Sequence, residues 1–183
     1  VEDVAKKVGV QVLVNAVMDA WGQIDILVNS ANVKPVTPLL DMDEWDWHRV
    51  LDVNLTGAFL LTQSVGRVMR TQSGGVIINL VPLLGRTGPG CAAYAASKIG
   101  LLGLTRLAAE ELAQHGIRCH AVGSDLARFD TVEEKFADVA SAAFWLCACK
   151  QTGHSINQLL CLFHTVRSVL FGCTDYKLII FRQ

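Results

Sequence analysis

Charged residues are scarce in this sequence, and neither sign of charge dominates. Asp, Glu, Lys and Arg make up 18% of the 183 residues, against roughly 25% in an average soluble protein. The formal net charge is −1, so the basic surface that nucleic-acid binding requires is missing. Aromatic residues contribute only 7% and are not interleaved with arginines, as a base-stacking surface would need. The composition therefore predicts a protein without a nucleic-acid partner.

Long uncharged apolar runs are also missing. A membrane-spanning helix needs about 20 predominantly apolar residues. The longest charge-free stretch of the apolar C-terminal region, residues 151–166, is interrupted by Gly, His, Asn and Gln. Residues 1–21 carry five charged side chains where a signal peptide has an uncharged core. We therefore expect no membrane segment and a cytoplasmic location, in which the six cysteines are reduced thiols.

A clear metal-binding pattern is missing as well. The candidate ligands in the sequence are Cys147, Cys149, His154, Cys161, His164 and Cys173. Cys147 and Cys149 lie two residues apart within a predicted helix, where side chains at i and i+2 diverge. No C-x-x-C pair, as found in structural zinc sites, occurs in the sequence. We expect no metal site.

Apolar residues are abundant, and their pattern predicts the fold. They make up 51% of the sequence, enough to offset the entropy of ordering a chain. The predicted helices cover residues 4–21, 42–70, 91–114 and 132–149, and the predicted strands cover residues 24–29, 76–81 and 117–122. Long helices that alternate with continuously apolar strands indicate βαβ units. Right-handed crossovers then give an α/β fold, a doubly wound parallel sheet with helices on both faces.

Local signals mark several boundaries of these elements. Gly22 and Gly116 fit as helix stops, and Asp41 or Asp43 can cap the helix over residues 42–70. In the first helix a spacing of four residues indicates a buried stripe. The members of this stripe are Val4, Val8, Val12, Ala16 and Ala20.

Residues 158–183 differ from the rest of the chain. They are apolar but show neither a helical nor an alternating period. They contain YKLIIF, which has the composition of an edge strand or of an aggregation-prone segment. We therefore expect residues 1–157 to form one domain and residues 158–183 to be a divergent tail.

Tyr94 and Lys98 are the strongest candidates for catalytic residues in the sequence. Their spacing of four places both side chains on one helical face, one turn apart. A neighbouring ammonium favours the phenolate and lowers a tyrosine pKa, which suits proton transfer to a carbonyl or alkoxide. The alternative is a helix that contains Tyr and Lys four apart by chance.

Further motifs occur in a fixed order around this pair. They are Asp3-Val4, Asn29-Ser30-Ala31-Asn32, Asn54 within DVNLTGAF, Tyr94-Ala95-Ala96-Ser97-Lys98 and Thr152-Gly153-His154-Ser155-Ile156. On these motifs the sequence resembles the short-chain dehydrogenase/reductase family, and within it the 3-oxoacyl-carrier-protein reductases. The resemblance extends from about Asp3 to Asn157.

The resemblance implies a Rossmann-type sheet that binds NAD or NADP and transfers a hydride between the nicotinamide and a carbonyl or alcohol substrate. It makes Tyr94 the acid and base, and Lys98 the residue that holds the nicotinamide ribose and tunes Tyr94. Asn54 would position a water in the proton relay. The cofactor would also contact Asn29, Ala31 and the pair Asp3-Val4, which borders the adenine. A homo-oligomer would form through helices 42–70 and 91–115.

The sequence also departs from the family pattern. The glycine-rich phosphate-binding turn T-G-x-x-x-G-x-G does not occur in residues 1–183, Pro82 stands where the catalytic serine is expected, and Ser124-Asp125 replaces a P-G pair. From these departures we expect residues 1–183 to form only the second half of the family's fold. We also expect little turnover by this polypeptide alone. The strand at 24–29 would then be a bare apolar edge that promotes association. The alternative function is a catalytically inactive remnant that acts as an oligomerising subunit.

Overall fold

The computed structural model describes residues 3–81 and 88–123, and the backbone of residues 178–181. The helices are α1 (Lys7–Trp21), α2 (Glu44–Leu51), α3 (Gly57–Thr71) and α4 (Ala92–Leu112). The strands are β1 (Ile26–Asn29), β2 (Gly75–Leu80), β3 (Ile117–Val122) and β4 (Leu178–Phe181). A π-helical turn, Asp52–Thr56, joins α2 to α3, and a 3-10 turn, Ala113–His115, follows α4.

The strands form one parallel sheet in the order β3-β2-β1-β4. The predicted α/β fold with a parallel sheet is therefore confirmed. Leu27, Ile77 and Ile117 face a core that α1, α3 and α4 complete. Val28 and Ile78, whose side chains point to the opposite face, are buried too. Strands that are buried on both faces explain why β1 and β2 are continuously apolar in sequence.

The edge of β1 is paired, contrary to the expectation of a bare apolar strand. The backbone of β4 runs parallel to β1 from the pair Ile26↔Leu178 to the pair Asn29↔Phe181. The prediction of a bare edge was wrong because the pairing partner lies about 150 residues away in sequence, where local patterns carry no information on pairing. The expected edge strand within YKLIIF is confirmed, because β4 lies at one of the two edges of the described sheet.

The helix boundaries follow the predicted caps. Asp43 precedes α2, and its side chain accepts a hydrogen bond of 2.7 Å from the backbone N–H of Asp46. Gly22 and Gly116 have φ angles of 71° and 72° and end α1 and the 3-10 turn in the left-handed conformation. The single helix expected over residues 42–70 is instead two helices joined by the π turn.

The buried face of α1 differs from the predicted stripe. Val8 is 76% exposed and Val12 is 49% exposed, whereas Val10 and Val14 are buried against the core. A repeat of four residues advances by more than one helical turn, so the stripe drifts around the helix. Apolar residues cover several faces of α1, and only its packing against α3 decides which face is buried.

Several predicted features lie outside the described residues. They are the helix over residues 132–149, the proposed domain boundary after residue 157, Pro82, Ser124-Asp125 and the motif at residues 152–156. None of the helices that the structure describes has the length and apolarity to cross a membrane.

Gly9 is required where α1 meets the turn that precedes it. A Cβ atom at this position would overlap the carbonyl oxygen of Asp3, so Gly9→Ala must displace the Asp3-Val4 turn. We expect a loss of about 1–3 kcal/mol in the free energy of unfolding, measured by urea denaturation.

Gly103 provides the matched control, because it is also a helical glycine but has open space around its Cβ position. Gly103→Ala should stabilise the protein by about 0.5–1 kcal/mol. Equal effects of the two substitutions would show that Gly9 does not make this close contact.

Candidate active site

Tyr94 and Lys98 lie on the first two turns of α4 and are both buried, with 4% and 3% of their surface exposed. The Nζ atom of Lys98 lies 5.7 Å from the centroid of the Tyr94 ring. It also donates a hydrogen bond of 3.2 Å to the backbone carbonyl of Leu80, the last residue of β2. The pair therefore sits at the carboxyl end of a central parallel strand, where open α/β sheets bind their ligands.

Burial determines the electrostatics of this pair. It lowers the pKa of Lys98 to about 8 and raises the pKa of Tyr94, against the smaller lowering effect of a side-chain hydrogen bond from Asn32. The charge interaction with Cys91 adds a further small rise to the Tyr94 pKa. The sequence predicted a lowered tyrosine pKa, and this was wrong because desolvation by burial is the largest effect on the phenol.

Asn54 lies within the π turn, and its side chain fixes the loop after β1. Its Oδ1 atom accepts a hydrogen bond of 2.8 Å from the N–H of Val33, and its Nδ2 atom donates one of 2.9 Å to the carbonyl of Val33. A second N–H of the same amide donates to Ser97 Oγ at 3.2 Å. Both amide hydrogens are thus engaged within the protein. A π turn is a frequent feature of functional sites in helices.

Ser97 links Asn54 to α4, a connection that the sequence analysis did not identify. The Ser97 hydroxyl accepts from Asn54 and donates a hydrogen bond of 2.7 Å to the backbone carbonyl of Tyr94. Close packing supports this link, because a Cβ atom at Gly100 would lie 2.9 Å from a methyl carbon of Leu55. The residues Tyr94, Lys98 and Asn54 are therefore brought together. A small hydroxyl residue one turn after Tyr94 was the only available signal in the sequence.

Asn29 belongs to a second polar network, which shares no residue with the hydrogen bonds of Asn54 and Ser97. At the end of β1, its Nδ2 atom donates to Asn79 Oδ1 at 2.7 Å and approaches Thr62 Oγ1 at 3.4 Å. Asn79 in turn donates to Thr105 Oγ1 at 2.8 Å, and Thr105 donates to the carbonyl of Leu101 at 2.6 Å. The Oδ1 atom of Asn29 is buried and has no hydrogen-bond partner among the described residues. The network ties β1, β2 and α4 together.

Asp3, Val4 and Ala31 make contacts that stabilise the fold. The Asp3 carboxylate accepts a hydrogen bond of 3.0 Å from the N–H of Ala5, so it stabilises the turn before α1. Val4 is buried, and its carbonyl oxygen approaches the start of α3 at Gly57. Ala31 is half-buried against the core. Their expected contacts with a cofactor stay predictions.

The ionisation of Lys98 gives a testable pH dependence. Between pH 8 and 10.5 the unfolded chain holds a proton that folded Lys98 has released, so the free energy of unfolding should rise with pH. Relative to Lys98→Met, the wild type should gain up to about 3 kcal/mol across this interval, measured by denaturation at each pH. Lys7→Met, at an exposed lysine, is the control and should leave the slope unchanged. Parallel curves for wild type and Lys98→Met would contradict the buried position of Lys98.

This arrangement can be compared with known proteins. Residues 1–139 match the family model described as short chain dehydrogenase. The chain belongs to the short-chain dehydrogenase family. The resemblance based on the motifs around Asn29, Asn54 and Tyr94 is thereby confirmed at the level of the family.

Two members of the short-chain dehydrogenase family are similar to this chain over most of its length. The chain is 39% identical over 137 residues to a 3-oxoacyl-[acyl-carrier-protein] reductase of Synechocystis sp., covering 74% of this chain and 56% of that protein. It is 38% identical over 177 residues to the (5R,7aS)-5-hydroxy-7a-methyl-1-oxo-2,3,5,6,7,7a-hexahydro-1H-indene-carboxyl-CoA reductase of Mycobacterium tuberculosis, covering 96% and 65%. This chain thus spans between half and two thirds of the length of these relatives.

A solved structure agrees with the fold. A metagenomic short-chain oxidoreductase in complex with NADP superposes with a TM-score of 0.72 at 33% identity, covering 82% of this chain and 67% of that chain. The match to the Mycobacterium tuberculosis reductase covers 96% of the chain and so includes part of residues 158–183. The proposed boundary after residue 157 stays a prediction.

Proposed function

We propose that this protein is an NAD(P)-dependent oxidoreductase that transfers a hydride between a nicotinamide cofactor and a carbonyl or alcohol substrate. The observation that carries the proposal is the buried Tyr94–Lys98 pair at the carboxyl end of β2. The phenol of Tyr94, beside the buried ammonium of Lys98, can act as a proton donor. Titratable groups with perturbed pKa values cluster at functional sites. Relatives that are named as reductases support the same class of reaction.

The described residues fit the nicotinamide end of such a cofactor. Within residues 3–81 and 88–123, Lys98 donates one hydrogen bond, to Leu80, whereas an ammonium has three N–H donors. The remaining donors are available for ribose hydroxyls. The unpartnered Oδ1 atom of Asn29 at the end of β1 is a further acceptor at the edge where α/β sheets bind ligands. The glycine-rich motif that holds the pyrophosphate does not occur in residues 1–183, so they provide no such turn for this part of the cofactor.

The residues divide the work of carbonyl reduction as follows. When bound, a nicotinamide cofactor supplies the hydride that is added to the carbonyl carbon. The hydroxyl of Tyr94 donates its proton to the carbonyl oxygen. Burial raises the pKa of Tyr94, so the proton is present at neutral pH. Lys98, still mostly charged at pH 7 because its pKa is about 8, stabilises the phenolate that forms.

Asn54 and Ser97 hold the proton donor in place. Asn54 fixes the loop after β1, and Ser97 connects Asn54 to the backbone of Tyr94. Preorganised positions of this kind reduce the cost of reaching the reactive geometry. Both hydrogens of the Asn54 amide are already engaged. Asn54 can therefore position a water only as an acceptor, through its Oδ1 atom.

The second candidate function is a catalytically inactive subunit that assembles through α3 and α4. Large apolar side chains on these helices support it, since Phe59 is 42%, Ile99 58% and Leu107 57% exposed. Exposed apolar residues grouped on neighbouring helices mark association surfaces. A homo-oligomer of an active enzyme would use the same surface. A measurement of cofactor binding is therefore needed to distinguish the two candidate functions.

Titration of NADH and of NADPH against the purified chain, followed by cofactor fluorescence, tests the proposed function. We expect saturable binding with a dissociation constant in the micromolar range, weakened by Lys98→Met and unaffected by Lys7→Met. The absence of binding by either cofactor, together with a stable oligomer in light scattering, would favour the inactive subunit.

A further inference from the structure

Lys34 is a cation beside Tyr94 to which the proposed function gives no role. Its Nζ atom lies 5.1 Å from the centroid of the Tyr94 ring, closer than the 5.7 Å of Lys98 Nζ. An ammonium within about 6 Å of an aromatic ring is attracted to it. Lys34 is exposed, whereas Lys98 is buried. Tyr94 therefore has one ammonium in the protein interior and a second one on a side chain that solvent reaches.

The loop that carries Lys34 is fixed on both sides of this residue. Asn54 bonds both backbone polar groups of Val33, at 2.8 and 2.9 Å. On the other side of Lys34, the N–H of Thr37 donates a hydrogen bond of 2.9 Å to the carbonyl of Gly90, just before α4. The residue after Lys34 is a proline, which confines the residue before it largely to extended conformations. The fold thus determines where the Lys34 backbone lies.

The ammonium of Lys34 is available to an anion. Among the described residues, no carboxylate lies within ion-pair distance of it. The described side chains that pack around Tyr94 form a hydrophobic cluster, and the charged groups found over its ring are both ammonium groups. A negatively charged group of a ligand can therefore pair with Lys34 without replacing a carboxylate of the described chain.

We propose that Lys34 binds a carboxylate of the substrate, which makes the substrate an oxo acid or the corresponding hydroxy acid. This inference rests on the proposed function, because the carbonyl oxygen of the same molecule is placed at the Tyr94 hydroxyl. A hydrogen bond between an ammonium and a carboxylate is stronger than one between neutral groups. An ester of the same acid has no negative charge to offer. Lys34 is therefore a specificity-determining residue that favours the free acid.

The position of Lys34 restricts where the substrate carries its charge. Because its Nζ atom lies close to the Tyr94 ring, the carboxylate that it binds is only a few bonds from the carbonyl that meets the Tyr94 hydroxyl. A short oxo acid has this arrangement. A phosphate at the far end of a long carrier group does not, since it lies many bonds from the reacting carbonyl. The substrate class is therefore a small oxo acid with a free carboxylate.

Binding next to Tyr94 can be observed without turnover, because the sequence has only two tyrosines. In a Tyr176→Phe background, tyrosine labelled with carbon-13 at Cζ gives one NMR signal, from Tyr94. Acetoacetate and its methyl ester are titrated into this protein, alone and with oxidised NAD or NADP. We expect acetoacetate to bind about tenfold more tightly than the ester, as one hydrogen bond between charged groups provides.

Variants of Lys34 test the origin of this preference. Lys34→Gln removes the charge and should abolish the preference for the acid, while the affinity for the ester stays nearly unchanged. Lys34→Arg keeps the charge and should retain most of the preference. Lys7→Gln, the same change at an exposed lysine of α1, should leave both affinities unchanged. Added salt should weaken the binding of the acid, because it screens exposed charges.

The results decide between a carboxylate-binding residue and a structural one. Equal affinities for acid and ester, the absence of a shift with acetoacetate, or a preference that survives in Lys34→Gln would overturn the proposal. So would a loss of affinity for both compounds in Lys34→Gln, which would indicate a displaced loop. Reduction of acetoacetate is then measured with NADH and NADPH. Charge-dependent binding without reduction would contradict the proposed function but would still support Lys34 as the carboxylate-binding residue.

Discussion

Replacement of Tyr94 by phenylalanine is expected to lower the rate of acetoacetyl-ester reduction by about 100- to 10,000-fold, the range for loss of a general acid. Phenylalanine keeps the ring that packs with Val50, Cys91 and Ala93 and removes only the hydroxyl. The fold should therefore survive, and cofactor affinity should change little. Steady-state rates with NADH and with NADPH measure the effect.

Tyr176→Phe is the control for this substitution, because it makes the same chemical change at the other tyrosine. It should leave the rate within about twofold of the wild type, as expected for a site without a role in catalysis. Undiminished reduction by Tyr94→Phe would remove Tyr94 from the role of proton donor.

Replacement of Asn54 by alanine should cost about 2–4 kcal/mol in the free energy of unfolding, because it breaks one buried and two partly buried hydrogen bonds and leaves their partners unsatisfied. Those bonds join Asn54 to the backbone of Val33 and to Ser97. The loop should loosen as well, so hydrogen exchange at the Val33 amide should become faster. Urea denaturation and native-state hydrogen exchange measure the two effects.

Asn15→Ala is the matched control for Asn54→Ala, since Asn15 is an exposed helical asparagine that accepts a hydrogen bond from Gln11. Its effect should be within about 0.5 kcal/mol. Asn54→Asp should fall between these values, because it keeps the acceptor for the Val33 N–H and loses both donors. Equal stabilities of the Asn54 and Asn15 variants would contradict the proposed anchoring of the loop.

Features governed by local chemistry could be predicted from the sequence. The strand at residues 117–122 was predicted with its observed bounds, and Gly22, Asp43 and Gly116 end or begin elements as expected. Caps depend on one or two residues and their backbone conformation, so a short segment contains the information. The contact between Tyr94 and Lys98 followed in the same way from a spacing of four on one helix.

Features governed by contacts between distant segments could not be predicted. The pairing of β4 with β1 and the approach of Lys34 Nζ to within 5.1 Å of the centroid of the Tyr94 ring join residues that are far apart in sequence. The direction of the Tyr94 pKa change was wrong for the same reason, since desolvation depends on the residues that surround the phenol in the fold. In α1, apolar residues on several faces concealed which face packs against α3.

Hydride transfer itself is the most direct test of the proposed function. The wild type, Tyr94→Phe and Tyr176→Phe are each incubated with an acetoacetyl thioester and with NADH or NADPH deuterated at C4 of the nicotinamide, and the hydroxy product is analysed by mass spectrometry. We expect deuterium in the product of the wild type and of Tyr176→Phe, and at least about 100-fold less with Tyr94→Phe. Deuterium transfer at the same rate by Tyr94→Phe, or none by a wild-type protein that binds the cofactor and this substrate, would contradict the proposed role of Tyr94 in carbonyl reduction.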